Sequence, residues 1–307
     1  MTTPSAPPGG RPGPGLDAIT AERRQLINLA YRLLGSLAEA EDAVQETYAR
    51  WCAMSPEEQD AIASPGAWLS KVASRVCLNL LNSARARRET YVGEWIPEPA
   101  EWATGQAGSA AMDPADRVTL DESINMAFLV VLESMTPAER VAFILHDVFR
   151  YPFAEVADIV GRTPAASRQL ASSARRRIRA SRTHATPAAR QAGIVRDFKR
   201  AWEAKDIDAL IGLLDPNATV IADGGGVAGA AARPFQGGEQ IARGCVDLVN
   251  RAPGLKILER TVNGQPGLVT QQDGATAAVL AFDLTDDRIT HIWVVFNPEK
   301  LRPWTTD

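Results

Sequence analysis

Apolar positions recur at helical spacing along the first 183 residues and then switch to short β-type runs from about residue 190 onward. Leu26, Leu29, Ala30, Leu33 and Leu34 make one stripe of a helix over 20–34 that stops at Gly35. Ser36-Leu37-Ala38-Glu39 has capping-box spacing and opens a second helix. That helix buries Ala40, Ala43, Val44, Thr47 and Trp51 and exposes Glu39, Asp42, Gln45 and Glu46. A third opens at Ser64-Pro65 and runs to about Arg88 on a stripe of Trp68, Leu69, Val72, Ala73, Val76, Cys77 and Leu80. Leu120, Ile124, Phe128 and Val131 predict a helix over 117–132, and Thr136-Pro137-Ala138-Glu139 opens another through VAFILHDVF. Val156, Ile159 and Val160 then end at Gly161, and Thr163-Pro164 starts a further helix, so 151–182 reads as helix, turn, helix.

Past a helix at 190–203 (Ile194, Val195, Phe198, Trp202) and a short one at 207–214 come the runs ATVIADGGG, LKILERTVNGQ, GLVTQQDG, ATAAVLAFDLTDD and RITHIWVVF. Asn263-Gly264 and Asp273-Gly274 are hairpin turns, Asp286-Asp287 is a third, and 238–250 is a helix between strands. In the last strand Ile289, His291, Trp293 and Val295 are expected to share a face. The chain therefore divides into all-α domains followed by an α+β domain with a curved, mostly antiparallel sheet. The expected divisions are a disordered tail 1–15, helical domains 16–90 and 116–183 around a linker 91–115, and the mixed domain 188–307. The linker lacks periodicity, yet Trp95, Ile96 and Trp102 are too apolar for a plain spacer and are expected to dock.

Charge changes this picture locally. The net charge of −4 argues against indiscriminate nucleic-acid binding. Arg162 to Arg182 nevertheless holds seven arginines and no acidic residue, which suits a helix laid in a major groove. An αα-hairpin with a solvated basic face fits the same segment. Arg75, Asn79 and Asn82, one face of the third helix, can bond base edges and phosphates or simply face water. The three cysteines, Cys52, Cys77 and Cys245, have no CxxC spacing and read as buried thiols, with no metal site and no cofactor. No apolar run reaches membrane-spanning length and the Pro/Gly-rich start is no signal peptide, so a cytoplasmic location is expected.

Residues 24–51 with AWLSKVASRVCLNLLNSARARRE resemble region two of a bacterial sigma factor of the extracytoplasmic-function (ECF) group, and 121–182 resemble its region four. The chain from about 188 resembles a SnoaL-like cone, which one subgroup of these factors carries. YVGEWIPEP, the DGGG at 223–226 and NPEKL at 297–301 are similar to that subgroup's signatures. The resemblance implies that Asp42, Val44, Gln45 and Glu46 bind the clamp helices of the RNA polymerase β′ subunit. It implies that Arg75, Asn79, Asn82 and Arg85 capture the melted minus-ten strand. It further implies that Arg162, Thr163, Ser167, Arg168 and Gln169 lie nearest the bases of the minus-thirty-five element, with Arg175, Arg176 and the arginines to 179 on phosphates. Trp95, Ile96, Pro97, Asp223, Gly224, Gly225, Gly226, Asn297 and Pro298 would form the regulatory, interdomain contact. Three positions depart from the pattern: Val227 replaces a lysine, Ser167 replaces an apolar residue, and Asn82 stands where arginine is common.

Enzymes of the SnoaL-like fold use an Asp and a His, and Asp223 and His291 are the candidates here. A turn-forming Asp and a structural His explain them better, so the chain is expected not to be an enzyme. The expected function is a sigma factor that binds core polymerase and promoter DNA, its fused domain modulating it and holding, at most, an unknown small ligand. The alternative is a ligand-responsive helix-turn-helix regulator acting without polymerase core.

Overall fold

The computed structural model describes residues 14–88, 91, 93–101, 124–181, 187–226 and 235–305. The expectations for Trp102, Leu120, Arg182, Val227 and the side chain of Arg85 lie outside the described residues.

The first helices are α1 (Pro14–Leu34), α2 (Leu37–Cys52), α3 (Pro56–Asp60) and α4 (Pro65–Arg88). α1 begins earlier than its apolar stripe indicates, and α3, a single turn closed by a Ser55/Glu58 capping box, was too short to show periodicity. Next come α5 (Met126–Glu133), capped by Asn125, and α6 (Pro137–Phe143), opened by a Thr136/Glu139 capping box. The predicted run through VAFILHDVF instead loosens at Ile144–Val148 into a π-helical turn. The helix-turn-helix is α7 (Phe153–Val160) and α8 (Pro164–Ser181), with Gly161 between them at φ +67°, a left-handed exit that favours glycine.

These helices share one core. Leu26, Leu33, Leu69 and Cys77 pack in the same cluster as Leu132, Ile144, Val156 and Ala174. The predicted buried stripes of α2 and α4 account for most of its N-terminal half. Cys52 departs from expectation: it is exposed, because it sits on the last turn of α2 beyond the stripe.

The C-terminal domain comprises α9 (Ala188–Ala204), α10 (Ile207–Leu213), α11 (Gly238–Arg251) and strands β1 (Leu214–Asp223), β2 (Phe235–Gln236), β3 (Lys256–Val262), β4 (Gln265–Gln272), β5 (Ala275–Thr285) and β6 (Arg288–Val295). The sheet order is β2-β1-β6-β5-β4-β3, antiparallel except for β1 beside β6. The three predicted turns carry positive φ at Asn263, Gly264, Asp273, Gly274, Asp286 and Asp287, which matches the twist of two-residue hairpins. One face of the sheet packs on α9, α10 and α11 through Phe198, Trp202, Phe282 and Ile292. The other carries Val279, Ala281, Trp293 and Val295 and meets Ile96 and Met126 from outside the domain. Ile289 joins the first face, not the face of Trp293, because a bulge between Asp283 and Leu284 shifts the β5–β6 register.

Candidate interdomain and nucleic-acid sites

Residues 95–100 run as a strap between the N-terminal helices and the C-terminal domain. On the helical side Gly35, at φ +71°, leaves room for the Trp95 ring: a Cβ there would lie 3.1 Å from it. The Glu98 N–H donates to Gly35 O (2.7 Å) and the Tyr31 hydroxyl donates to Glu98 O (2.6 Å). The Glu98 carboxylate accepts from Leu37 N (2.8 Å) and Ser36 Oγ (3.0 Å) at the N-terminus of α2, where a negative charge is favoured. Ser36 accepts from Glu39 N as its spacing predicts, but the carboxylate over that helix end comes from 62 residues away. Burial nonetheless raises the pKa of Glu98, against the hydrogen bonds that lower it.

On the other side the strap meets Asp223, which is fully buried. Its carboxylate accepts from Ile96 N (3.0 Å), Tyr91 Oη (2.6 Å), Gly225 N (3.1 Å) and Lys300 Nζ (2.6 Å). Lys300 also donates to Ile96 O and lies 4.1 Å from the Trp95 ring centroid, so its charge meets an anion, a carbonyl and a π face. Asn297 Nδ2 donates to Tyr91 Oη (3.0 Å), and a Cβ on Gly225, at φ +64°, would lie 2.6 Å from the Asn297 amide. The glycine is therefore required by space and by conformation. Burial, then the Asp223 charge, push the Tyr91 hydroxyl up. Ile96 and Pro97 are buried, Trp95 half-buried, Gly224 buried, and Gly226 and Pro298 exposed.

Three participants were not expected at this contact from the sequence. Asn263, in a predicted hairpin turn, is fully buried. It exchanges hydrogen bonds with Ala100 through backbone N (2.8 Å) and Oδ1 (3.2 Å), and its amide donates to Tyr31 Oη (2.6 Å). Trp304 Nε1 donates to Pro99 O (2.9 Å). Lys300 was within the NPEKL run, but only the tertiary contact makes it the counter-ion of Asp223.

The expected catalytic pair is not brought together. Asp223 pairs along the sheet with Val295, whereas His291 pairs with Thr219. His291 instead lies 3.7 Å from Asp283 and stacks on Trp293 at 5.6 Å. Burial raises the pKa of Asp283, with His291 pulling it down.

The faces expected to meet polymerase and DNA are only partly free. On α2, Asp42, Gln45 and Glu46 are exposed, but Val44 is 1% exposed: four residues after Ala40, it belongs to the inner stripe and offers no surface. On α4, Arg75, Asn79 and Asn82 are exposed, yet Arg75 Nη2 donates to Asp158 O of α7 (3.0 Å) and Lys71 pairs with the Asp158 carboxylate (2.9 Å). In the turn before α8 Arg162 and Thr163 are exposed, and on α8 so are Arg168, Gln169 and Arg176. Ser167 is fully buried with its hydroxyl unpartnered, so it packs α8 and cannot touch a base. Arg175 grips Asp147 with two hydrogen bonds (2.6 and 3.2 Å), and Arg177 donates to Ser134 O (3.1 Å). Two arginines counted for phosphates are thus engaged within the chain.

Two family models match in this order: Sigma-70 region 2 over 18–87, and Sigma-70 region 4 over 125–178. The ECF RNA polymerase sigma factor SigJ of Mycobacterium tuberculosis is 40% identical over 292 residues, 91% of each chain. The chain belongs to the ECF RNA polymerase sigma factors. The similarity runs through the C-terminal domain as well. SigI of M. tuberculosis, a probable ECF sigma factor, is 36% identical over 93% of this chain and 94% of its own. The crystal structure of M. tuberculosis SigJ superposes with a TM-score of 0.72 at 36% identity, over 93% of this chain and 98% of that one. The sigma factor therefore carries helical regions two and four followed by a SnoaL-like domain with an open, mixed sheet. It works with RNA polymerase core on promoter DNA to start transcription. Nothing among these similarities supports a regulator acting without core. No helix among the described residues is long and apolar enough to cross a membrane.

Proposed function

We propose that this sigma factor is held closed by its own strap and SnoaL-like domain, and that initiation requires regions two and four to separate. The carrying observation is the contact of Arg75 and Lys71 with Asp158, which joins the face proposed for the minus-ten strand to the first helix of the helix-turn-helix. The minus-ten and minus-thirty-five elements stand about 25 base pairs apart, roughly 85 Å at 3.4 Å per step. A protein in which Arg75 lies 3.0 Å from an α7 carbonyl cannot span that distance. The shared core of the helical regions supports the same reading.

In the open form Asp42, Gln45 and Glu46 meet the β′ clamp helices. Arg75, Asn79 and Asn82, with Arg85, take the melted minus-ten strand. Arg162, Thr163, Arg168, Gln169 and Arg176 meet the minus-thirty-five element, and Arg175 joins them once it leaves Asp147. Domain divisions follow these roles: region two at 16–90, the strap within 91–115, region four at 116–183 and the regulatory domain at 188–307. The last is proposed as a structural regulator and not a catalyst, because Asp223 is committed to the strap and His291 to Asp283. The cytoplasm, where core polymerase works, is the proposed location.

The test is a reversible closure. Lys71→Cys and Asp158→Cys, in a Cys52→Ser background, are joined by a cleavable bismaleimide, and run-off transcription is measured with core enzyme. The joined protein is expected to give no transcript, and the cleaved protein to regain it. Equal initiation by joined and cleaved protein overturns the closed-state reading.

A further inference from the structure

A cavity of about 800 Å³ lies between α5 of region four and the sheet face that carries Trp293. Met126, Ala127 and Val130 form one wall, and Ile221, Ala281 and Trp293 the other. The lining also holds polar residues: Asp283, His291, whose ring nitrogen lies 3.7 Å from the Asp283 carboxylate, and Gln191 from α9. Trp293 Nε1 is buried and has no hydrogen-bond partner among the described residues. An apolar chamber of this size with a few polar groups has the composition of a small-molecule site.

The lining restricts the occupant. The apolar walls favour a ring compound over a sugar or peptide. The His291 and Trp293 rings, stacked within 8° of parallel at 5.6 Å, add aromatic surface to the lining. The Asp283 carboxylate repels an acid but accepts a hydrogen bond from a hydroxyl, whose oxygen can accept one in return from an imidazole N–H. We propose that this cavity binds a neutral, mostly apolar ring compound carrying a hydroxyl group, and that the compound holds the sigma factor closed. The second part rests on the closed-state reading above. Its walls belong to two different domains, so the ligand makes its full set of contacts only while they are docked. A ligand with that differential affinity shifts the population toward the docked form.

The probes are naphthalene, 2-naphthol and 2-naphthoate, titrated calorimetrically into the full chain. Saturable one-to-one binding of 2-naphthol is expected, about tenfold tighter than naphthalene, as one hydrogen bond to a charged group provides. Binding of 2-naphthoate is expected to be the weakest. Asp283→Asn should remove most of the preference for the hydroxyl, and Ala127→Phe, which fills the chamber from α5, should abolish binding while the protein still melts cooperatively. If Ala127→Phe does not fold, His291→Leu serves as the second variant and should lower 2-naphthol affinity without affecting naphthalene. Absence of 2-naphthol binding, equal binding of 2-naphthoate, or binding unaffected by these substitutions overturns the site. Run-off transcription with saturating 2-naphthol is expected to fall. Binding without that fall leaves the cavity standing and overturns its link to closure, whereas a failed titration beside a successful cross-link experiment overturns the cavity alone.

Discussion

Two ion pairs stand at the contacts between domains in this sigma factor, Asp223–Lys300 within the C-terminal domain where it grips the strap and Lys71–Asp158 between regions two and four, and their surroundings differ. Asp223–Lys300 is desolvated, with side chains 0% and 11% exposed, and its groups have further partners in Tyr91, Ile96 and Gly225. Lys71–Asp158 sits in solvent at 36% and 64% exposure, on the face proposed to read promoter DNA. A buried pair of this kind is costly to leave half-made, whereas exposed pairs contribute little and are screened by salt. The strong lock is therefore remote from the proposed DNA face and the weak latch lies on it. Opening the latch while the lock stays made gives a route by which DNA or polymerase can separate the reading faces without dismantling the C-terminal contact.

The comparison breaks if the two pairs respond alike. Lys300→Met leaves the Asp223 carboxylate buried and uncompensated, and it is expected to lower the stability of the strap contact by about 3–5 kcal/mol. Urea unfolding followed with limited proteolysis within 91–101 checks this, and wild-type protection of the strap would contradict the lock. Asn263→Ala strips partners from Ala100 and Tyr31 together, so a loss of about 1–3 kcal/mol is expected in the same assay.

A pH titration probes the same contact through Tyr31, whose pKa is raised by burial above the ordinary 10.0. Its contribution to stability is complete below pH 10.0 and is lost as pH rises above that value, because the unfolded chain ionises first. The expected slope is about 1.4 kcal/mol per pH unit from this group, and Tyr31→Phe should flatten it. In the shared helical core, Ser167→Ala removes a buried, unpartnered hydroxyl and should raise the unfolding free energy by about 1 kcal/mol. Asp158→Ala is expected to leave the urea midpoint within error while increasing initiation at low salt, since it frees Lys71 and loosens Arg75. A midpoint shift as large as that of Lys300→Met would erase the distinction between lock and latch.

Helix existence, caps and hairpin turns were legible because each is decided within a few residues. Thr136 with Glu139, Gly161, Asn263-Gly264 and Asp273-Gly274 behave as their local chemistry requires. The arginine run of α8 was legible as composition, but not its division into outward Arg168 and Arg176 and inward-turned Arg175, which depends on where the π-helical turn carries Asp147. Val44 and Ser167 were misplaced for a related reason: a role transferred by motif position ignores which face the packing consumes.

By itself, the sequence determined the order of the domains, the apolar stripe of most helices and the turns of the sheet, since periods of 3.6 and 2 and the positive-φ residues are properties of adjacent positions. Only the tertiary structure decided that Glu98 closes the end of α2, that Lys300 neutralises Asp223, and that the Asn263 turn is buried against Tyr31. Those contacts join residues 61, 77 and 232 positions apart. Pairing across such separations follows from how packed surfaces exclude water around charged and polar groups, which no local pattern records.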